Sequence, residues 1–201
     1  MKKYCVVAIS RQYCSGGQDI AKKLAEELNV PYYDKEIITL ASKESGLSEE
    51  AIRESKKRHT GSLLYSLYSM SKELPVADQV YLVQSKIIRE LAEKSPCVLV
   101  GRCSDYVLRD NPNCLRVFIH APLEHRVDML RLYETDEREH VLESILQRED
   151  KSRANYYNYY TQQHWGDAKN FHITLDSSIG EDACVQILKQ AVKAFVESEE
   201  D

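Results

Sequence analysis

The chain has 201 residues, 43% of them hydrophobic and 29% charged, with a formal net charge of −5. That size and composition fit one compact domain with its own core, and the acidic balance argues against a dedicated nucleic-acid binder, which is usually basic. No apolar stretch approaches the roughly 20 residues of a membrane span.

The opening "MKKYCVVAIS" carries two lysines and a short apolar run, but polar Ser10, Arg11 and Gln12 follow where a signal-peptide cleavage region would lie. "YCVVAIS" (4–10) reads instead as a strand buried on both faces of a parallel sheet. A helix over 17–28 follows, with Ser15 and Gln18 at capping-box spacing. "VPYYD" (30–34) is a short second strand, and Asp34 is placed to cap the helix "KEIITLASKES".

Residues 46–94 read as helical. Ser48 caps "LSEEAIRE", Gly61 and Pro75 break a mobile middle that holds the basic run Lys56–His59, and "DQVYLVQSKIIRELAEK" shows clear helical period. "PCVLVGR" (96–102) and "LRVFIHA" (115–121) are two more buried strands, and Pro122 suits the first turn of "PLEHRVDMLRLYE". Helical "DEREHVLESILQREDKSR" runs into the polar, tyrosine-rich "ANYYNYYTQQHWGD". "FHITLDSS" (171–178) is the last strand, Ser178 and Glu181 are spaced to cap a final helix to about 196, and the tail "ESEED" frays.

Cysteines 5, 14, 97, 103, 114 and 184 form no CxxC pair, and Cys5, Cys97 and Cys184 sit in apolar segments as reduced core thiols do. A cytoplasmic protein without structural zinc is expected. The alternating elements predict an α/β fold, a five-stranded parallel sheet with helices on both faces. Helical insertions fall after the second strand and before the fifth.

Three clusters could carry chemistry. "SRQYCSGGQDI" joins the first strand to its helix, where a helix N-terminus offers unpaired N–H groups to anions, and Gly16-Gly17 lets backbone approach them. The usual GxxxxGK[ST] pattern fails, because Gly17 falls at the lysine position and Asp19 at the hydroxyl position. A plain glycine turn explains the stretch equally well, with Asp19 a favourable first-turn charge. If phosphates do bind there, Asp19 lies near Mg²⁺, and the missing cation comes from Arg11, Lys22 or distant arginines.

Arg102, after Gly101 at a strand tip, could fork onto a phosphate or pair with Asp105 or Asp110. Arg148, Lys151 and Arg153 cluster near the end of a helix, either as a solvated face or as mobile cations for a transferring phosphoryl group. The adjoining tyrosines could also be a stacking surface for bases. The histidines show no metal-ligand spacing, and no GxSxG occurs.

Together, "ISRQYCSGGQDIAKKLAEELNVPYYDKEII", "VLVGRCSDYVLRD", "LRVFIHAPLEHRV" and "DKSRANYYNYYTQQHWGD" resemble the cytidylate kinase-like family, a branch of the P-loop nucleoside monophosphate kinases. The resemblance covers nearly the whole chain, and its usual loop is itself lysine-free. That loop commonly reads SGG followed by arginine, where this chain has Gln18.

The resemblance implies a core (1–35, 86–140 and 168–201), a substrate-binding insertion (about 36–85) and a lid (about 141–167). It implies ATP with Mg²⁺ as donor and a nucleoside monophosphate, CMP or dCMP, as acceptor. Arg11, Ser15, Gly16, Gly17, Gln18, Asp19 and Ile20 would hold the donor, with Asp19 orienting Mg²⁺. Asp34, Lys35, Arg102 and Asp150 would hold the acceptor, Gly101-Arg102 and Asp150-x-x-Arg153 matching elements that contact substrate in true cytidylate kinases. Arg148 and Arg153 would arrive with the lid. The rival reading is a nucleotide-binding or regulatory module that keeps the fold without turnover, and nucleic acid ranks below both as a partner.

Overall fold

The computed structural model describes residues 4–55, 74–134 and 138–198. The run Lys56–His59, the Gly61 break and the end of the acidic tail lie outside them.

Strands β1 (Val6–Arg11), β2 (Tyr32–Tyr33), β3 (Cys97–Val100), β4 (Cys114–His120) and β5 (Ile173–Asp176) form one parallel sheet in the order β2-β3-β1-β4-β5. The central β1 pairs Val7 with Val98 on one side and with Leu115 on the other. Alternation along the strands then feeds two cores. Val7, Ile9, Val98, Val117 and Ile119 pack with α1 (Gly17–Leu28) and α8 (Glu181–Glu197). Val6, Ala8 and Leu99 pack with α2 (Glu36–Ser45), α3 (Glu49–Ser55) and α4 (Val76–Lys94). Burial on both faces is why these strands read as unbroken apolar runs.

In α1, Ile20, Ala21, Leu24 and Ala25 make the buried stripe, and Asn29 ends the helix in the left-handed region with its N–H on the Ala25 and Glu26 carbonyls. A short α5 (Ser104–Val107) follows β3, and α6 (Leu123–Arg131) follows β4 behind Pro122. The expected lid helix and most of the tyrosine-rich run are one helix, α7 (Glu139–Thr161). Its inward residues Leu142, Leu146, Tyr157 and Thr161 share one helical face with Asp150 and Arg153, since steps of three and four keep to one stripe.

Of the expected caps, only that at Ser48 forms, its hydroxyl accepting the Ala51 N–H at 3.2 Å. Ser15 instead turns its hydroxyl inward to the Gln12 carbonyl (3.0 Å), and Gly16 occupies the N-cap of α1. Asp34 gives no side-chain cap to α2, and its own N–H is accepted by Glu36. Gly180, not Ser178, precedes α8, and Asp176 accepts the Ser178 N–H. No described cysteine forms a disulfide, and no described helix is long and apolar enough to cross a membrane.

Candidate functional site

The β1–α1 loop lies at the carboxyl edge of the sheet. Cys14 (φ 55) and Gly16 (φ 68) adopt left-handed conformations, which turn the chain sharply into α1. The first helical turn leaves the N–H groups of Gly17, Gln18 and Asp19 without intrahelical acceptors, at the positive end of the helix dipole. The loop is braced from beneath. The Ser177 hydroxyl donates to the Ser15 carbonyl at 2.6 Å, with the His120 carbonyl at 3.0 Å, and the Gln12 side chain accepts the Ala121 N–H.

Gly17 is needed for a different reason than room for a phosphate. A Cβ there would lie 2.7 Å from Arg11 Cβ and 3.3 Å from Ile119 Cβ. The glycine lets the stem of Arg11 run beneath the loop. Ile20 is buried in the core, and its N–H is donated to the Gly16 carbonyl, so it offers nothing to a ligand. Gln18 and Asp19 are exposed at the start of α1, with Asp19's carboxylate facing solvent where a phosphate-bound cation could take it.

Arg11 ties the site together. Its Nη2 lies 3.9 Å from Asp34 Oδ1, and its Nη1 lies so close to Gly101 that a Cβ on that glycine would come within 2.5 Å. Its carbonyl accepts from Arg153 Nη1 at 3.0 Å. The turn after β3 then holds three successive left-handed residues, Gly101 (φ 73), Arg102 (φ 59) and Cys103 (φ 56). For the two non-glycine residues this conformation costs about 1–2 kcal/mol each, and such strain concentrates at ligand sites. The Arg102 guanidinium is drawn inward, and its buried Nη1 has no hydrogen-bond partner.

Three arginines therefore converge beside the loop. Burial lowers the pKa of Arg11 and of Arg102, and pushes Arg153 down to about 10, with the charge of Arg11 as a further cause at the other two. Asp34, itself buried, faces both Arg11 and Arg102. Arg102 has neither of the partners that would make it a sheet-edge ion pair. Asp105 accepts from the Tyr157 hydroxyl at 2.8 Å, and Asp110 pairs with Arg109. Half-buried cations in excess of their carboxylates suit an anion.

Other expected members stand elsewhere. Arg148 is exposed and pairs with Glu149, because five residues along a helix put it about 140° from Arg153. Lys22 pairs with Glu26 on the outer face of α1, and Lys35 is exposed ahead of α2. Asp150 is committed internally: Oδ1 accepts the Tyr13 N–H at 2.8 Å and Oδ2 accepts from Arg126. The tyrosine run is not an open stacking surface. Tyr156 and Tyr157 are buried, and Tyr160 stacks on Tyr81 with centroids 3.9 Å apart.

Arg126, Tyr13 and Ser177 are supports that sequence reasoning missed. Only the inward stripe of α7, through Asp150 and Arg153, signalled which of the clustered charges point into the molecule. On the far side of the loop a cleft of about 490 Å³ is lined by Gln12, Phe118, His120, Trp165 and Asp176, among others.

Residues 6–179 match a family model described as the cytidylate kinase-like family. An uncharacterized protein from Eubacterium ventriosum has a crystal structure 27% identical in sequence, with a TM-score of 0.71 over 96% of this chain and 99% of that one. A shikimate kinase from Bacteroides thetaiotaomicron (13% identity, TM-score 0.55, 94% and 98% covered) shares the fold. So does a gluconokinase from Sinorhizobium meliloti (13%, 0.56, 98% and 96%). Comparison with curated proteins gives no match.

Proposed function

The chain belongs to the cytidylate kinase-like family, and on that premise we propose that it is an ATP-dependent kinase of nucleoside monophosphates, with CMP or dCMP as acceptor. The observation that carries this reading is the convergence of Arg11, Arg102 and Arg153, three half-buried guanidiniums beside a helix N-terminus. Two phosphate-bearing substrates meeting there would supply the missing negative charge.

The donor's phosphates take the N–H groups of Gly17 to Asp19, and the cleft bounded by Gln12 and Trp165 receives its nucleoside end. Asp19 would hold the Mg²⁺ that accompanies the donor, and the ion would supply positive charge against the donor's phosphates. The acceptor phosphate lies on Arg102, whose unpaired Nη1 awaits an oxygen. An acceptor oxygen attacks the γ-phosphorus in line, the bond to the β-phosphate oxygen breaks, and ADP leaves. Arg153, already docked on the Arg11 carbonyl, meets the charge that develops on the transferring group. Asp150 acts by positioning, since it holds Tyr13 and hence the loop. Residues 36–85 form the acceptor-binding insertion and 141–167 the lid in this reading.

A second reading is a nucleotide-binding module without turnover. Its support is the missing loop lysine, where Gly17 stands, and Gln18 at the position where the family's loop commonly carries arginine. Acceptor-dependent ADP release separates the two. With ATP and Mg²⁺, CMP or dCMP should raise ADP release well above the acceptor-free rate, while shikimate and gluconate should not. ATP binding without any acceptor-dependent release would leave the module reading in place.

A further inference from the structure

The acceptor side holds a buried side chain that neither the phosphate chemistry nor the packing uses. Gln84 on α4 is 1% exposed, and neither its Nε2 nor its Oε1 has a hydrogen-bond partner. Its neighbours along the same stripe, Val80, Ile87 and Ile88, are core residues. An amide buried on such a stripe with both ends unpaired is costly to the fold, and aliphatic side chains would fill the position better. Something other than stability therefore accounts for it.

Its height in the fold says what it faces. Helix α4 ends at Lys94 and the chain turns directly into β3 at Cys97. Gln84 stands ten residues above Lys94, about 15 Å at 1.5 Å per residue. The strand itself ends at Val100, three residues or about 10 Å beyond Cys97 at roughly 3.3 Å per residue. Gln84 therefore stands about one helical turn past the strand's end, at the height of the turn that carries Arg102. The buried Arg102 Nη1 and the Ser104 hydroxyl in that turn also lack partners. Tyr81, one turn earlier on α4, stacks on Tyr160 and meets Tyr156 edge-on, and Tyr156 lies against Arg102 and Cys103. Orphaned polar groups and a wall of aromatic rings occupy one level between α4, the β3–α5 turn and α7.

We propose that Gln84 is a specificity-determining residue that hydrogen-bonds the heterocycle of the acceptor while Arg102 takes its phosphate. This rests on the kinase reading above. The amide's chemistry selects the group. An ionised phosphate offers only acceptors, whereas Gln84 needs a donor for Oε1 and an acceptor for Nε2. The edge of a nucleobase presents the two side by side, and an amide can pair with it bidentately. Because the amide can rotate by a half-turn, Gln84 recognises that a base is present and does not by itself tell cytosine from uracil.

The test is calorimetric titration of wild type, Gln84→Met and Gln84→Leu with CMP, UMP and the base-free ribose 5-phosphate, alongside thermal unfolding. Methionine keeps the length of the side chain without its hydrogen bonds, and leucine repeats the loss with a different shape. The expected result is CMP and UMP affinity lower by about 10–100-fold, a loss typical of one bidentate pair. Ribose 5-phosphate and ATP affinities should stay within about twofold, and the unfolding midpoint should be unchanged or raised. Unchanged CMP affinity, or equal losses for CMP and ribose 5-phosphate, overturns the proposal and leaves Gln84 to an ordered water. A Gln84-dependent preference for shikimate or gluconate over CMP overturns it too. Failure of the kinase reading is read separately, as absence of acceptor-dependent ADP release by wild type. Release that persists while the variants bind CMP and UMP as tightly as wild type sinks only the role of Gln84.

Discussion

Arg153→Ala should separate catalysis from stability. The guanidinium is held down to about 10 by burial and by the charge of Arg11. Each pKa unit is worth about 1.4 kcal/mol, so charging it in the fold costs roughly 3 kcal/mol relative to an exposed arginine. Against this stand the bond from Nη1 to the Arg11 carbonyl at 3.0 Å and the contact with the Tyr13 ring at 5.2 Å. A charged hydrogen bond contributes about 1.5–3 kcal/mol and the ring about 0.5–1 kcal/mol. The terms nearly cancel, so the variant should unfold within about 1 kcal/mol of wild type in urea. Its kcat should fall about 10³-fold, the loss seen when an arginine that meets transferring phosphoryl charge is removed. ATP affinity should change by less than tenfold, because in the proposed reading the ground state is bound mainly by the loop N–H groups. Coupled ADP release at saturating acceptor and equilibrium urea unfolding check both arms. A variant destabilised by 3 kcal/mol whose folded fraction turns over at the wild-type rate would refute the reasoning and make Arg153 a structural residue.

Gly17→Ala puts a Cβ 2.7 Å from Arg11 Cβ and should cost about 1–3 kcal/mol of stability by overpacking, with weaker ATP binding measured by titration. Arg148→Ala, which removes only a solvent-facing pair with Glu149, should leave kcat within about threefold in the same ADP-release assay. Asp105 is buried, its pKa pushed up to about 6 from 3.8. Between these values the native state holds a proton the unfolded chain has released, so stability falls as pH rises from about 4 to 6 and the loss is complete above 6. Asp105→Asn keeps an acceptor for the Tyr157 hydroxyl, and its melting temperature should exceed that of wild type at pH 7 and lose most of that advantage at pH 4.

The sheet was legible because each strand is buried on both faces, so runs such as Val6–Ile9 and Cys97–Val100 carry no competing polar alternation. The helix after the loop was legible for the converse reason, a clean stripe over Ile20, Leu24 and Ala25. Two caps failed where other partners outbid the expected spacing: Ser15 turns back to Gln12 and toward Ile119, and Asp34 turns to Arg11. The glycine pair announced a tight loop, but Gly17's contact with Arg11 is set by packing between β1 and α1 and leaves no mark in spacing. Arg148 and Arg153 look alike in a charge cluster, and only the phase of α7 distinguishes them. The resemblance places Asp150 on the acceptor, and nothing local signals its internal role, because its partners, Tyr13 and Arg126, lie 137 and 24 residues away in the chain.

The two bonds of Asp150 bear on how chains of this family can be recombined. One carboxylate on α7 fastens both the loop backbone at Tyr13 and the α6 guanidinium of Arg126. Loop and long helix are therefore not interchangeable cassettes. A chimera that takes the loop from one relative and the helix from another keeps the loop anchored only if the residues at positions 13, 126 and 150 come from compatible parents. Where they do not, the hybrid keeps its sheet and its glycines yet leaves the Tyr13 amide and the Arg126 charge unanswered in the interior, directly beside the β1–α1 loop.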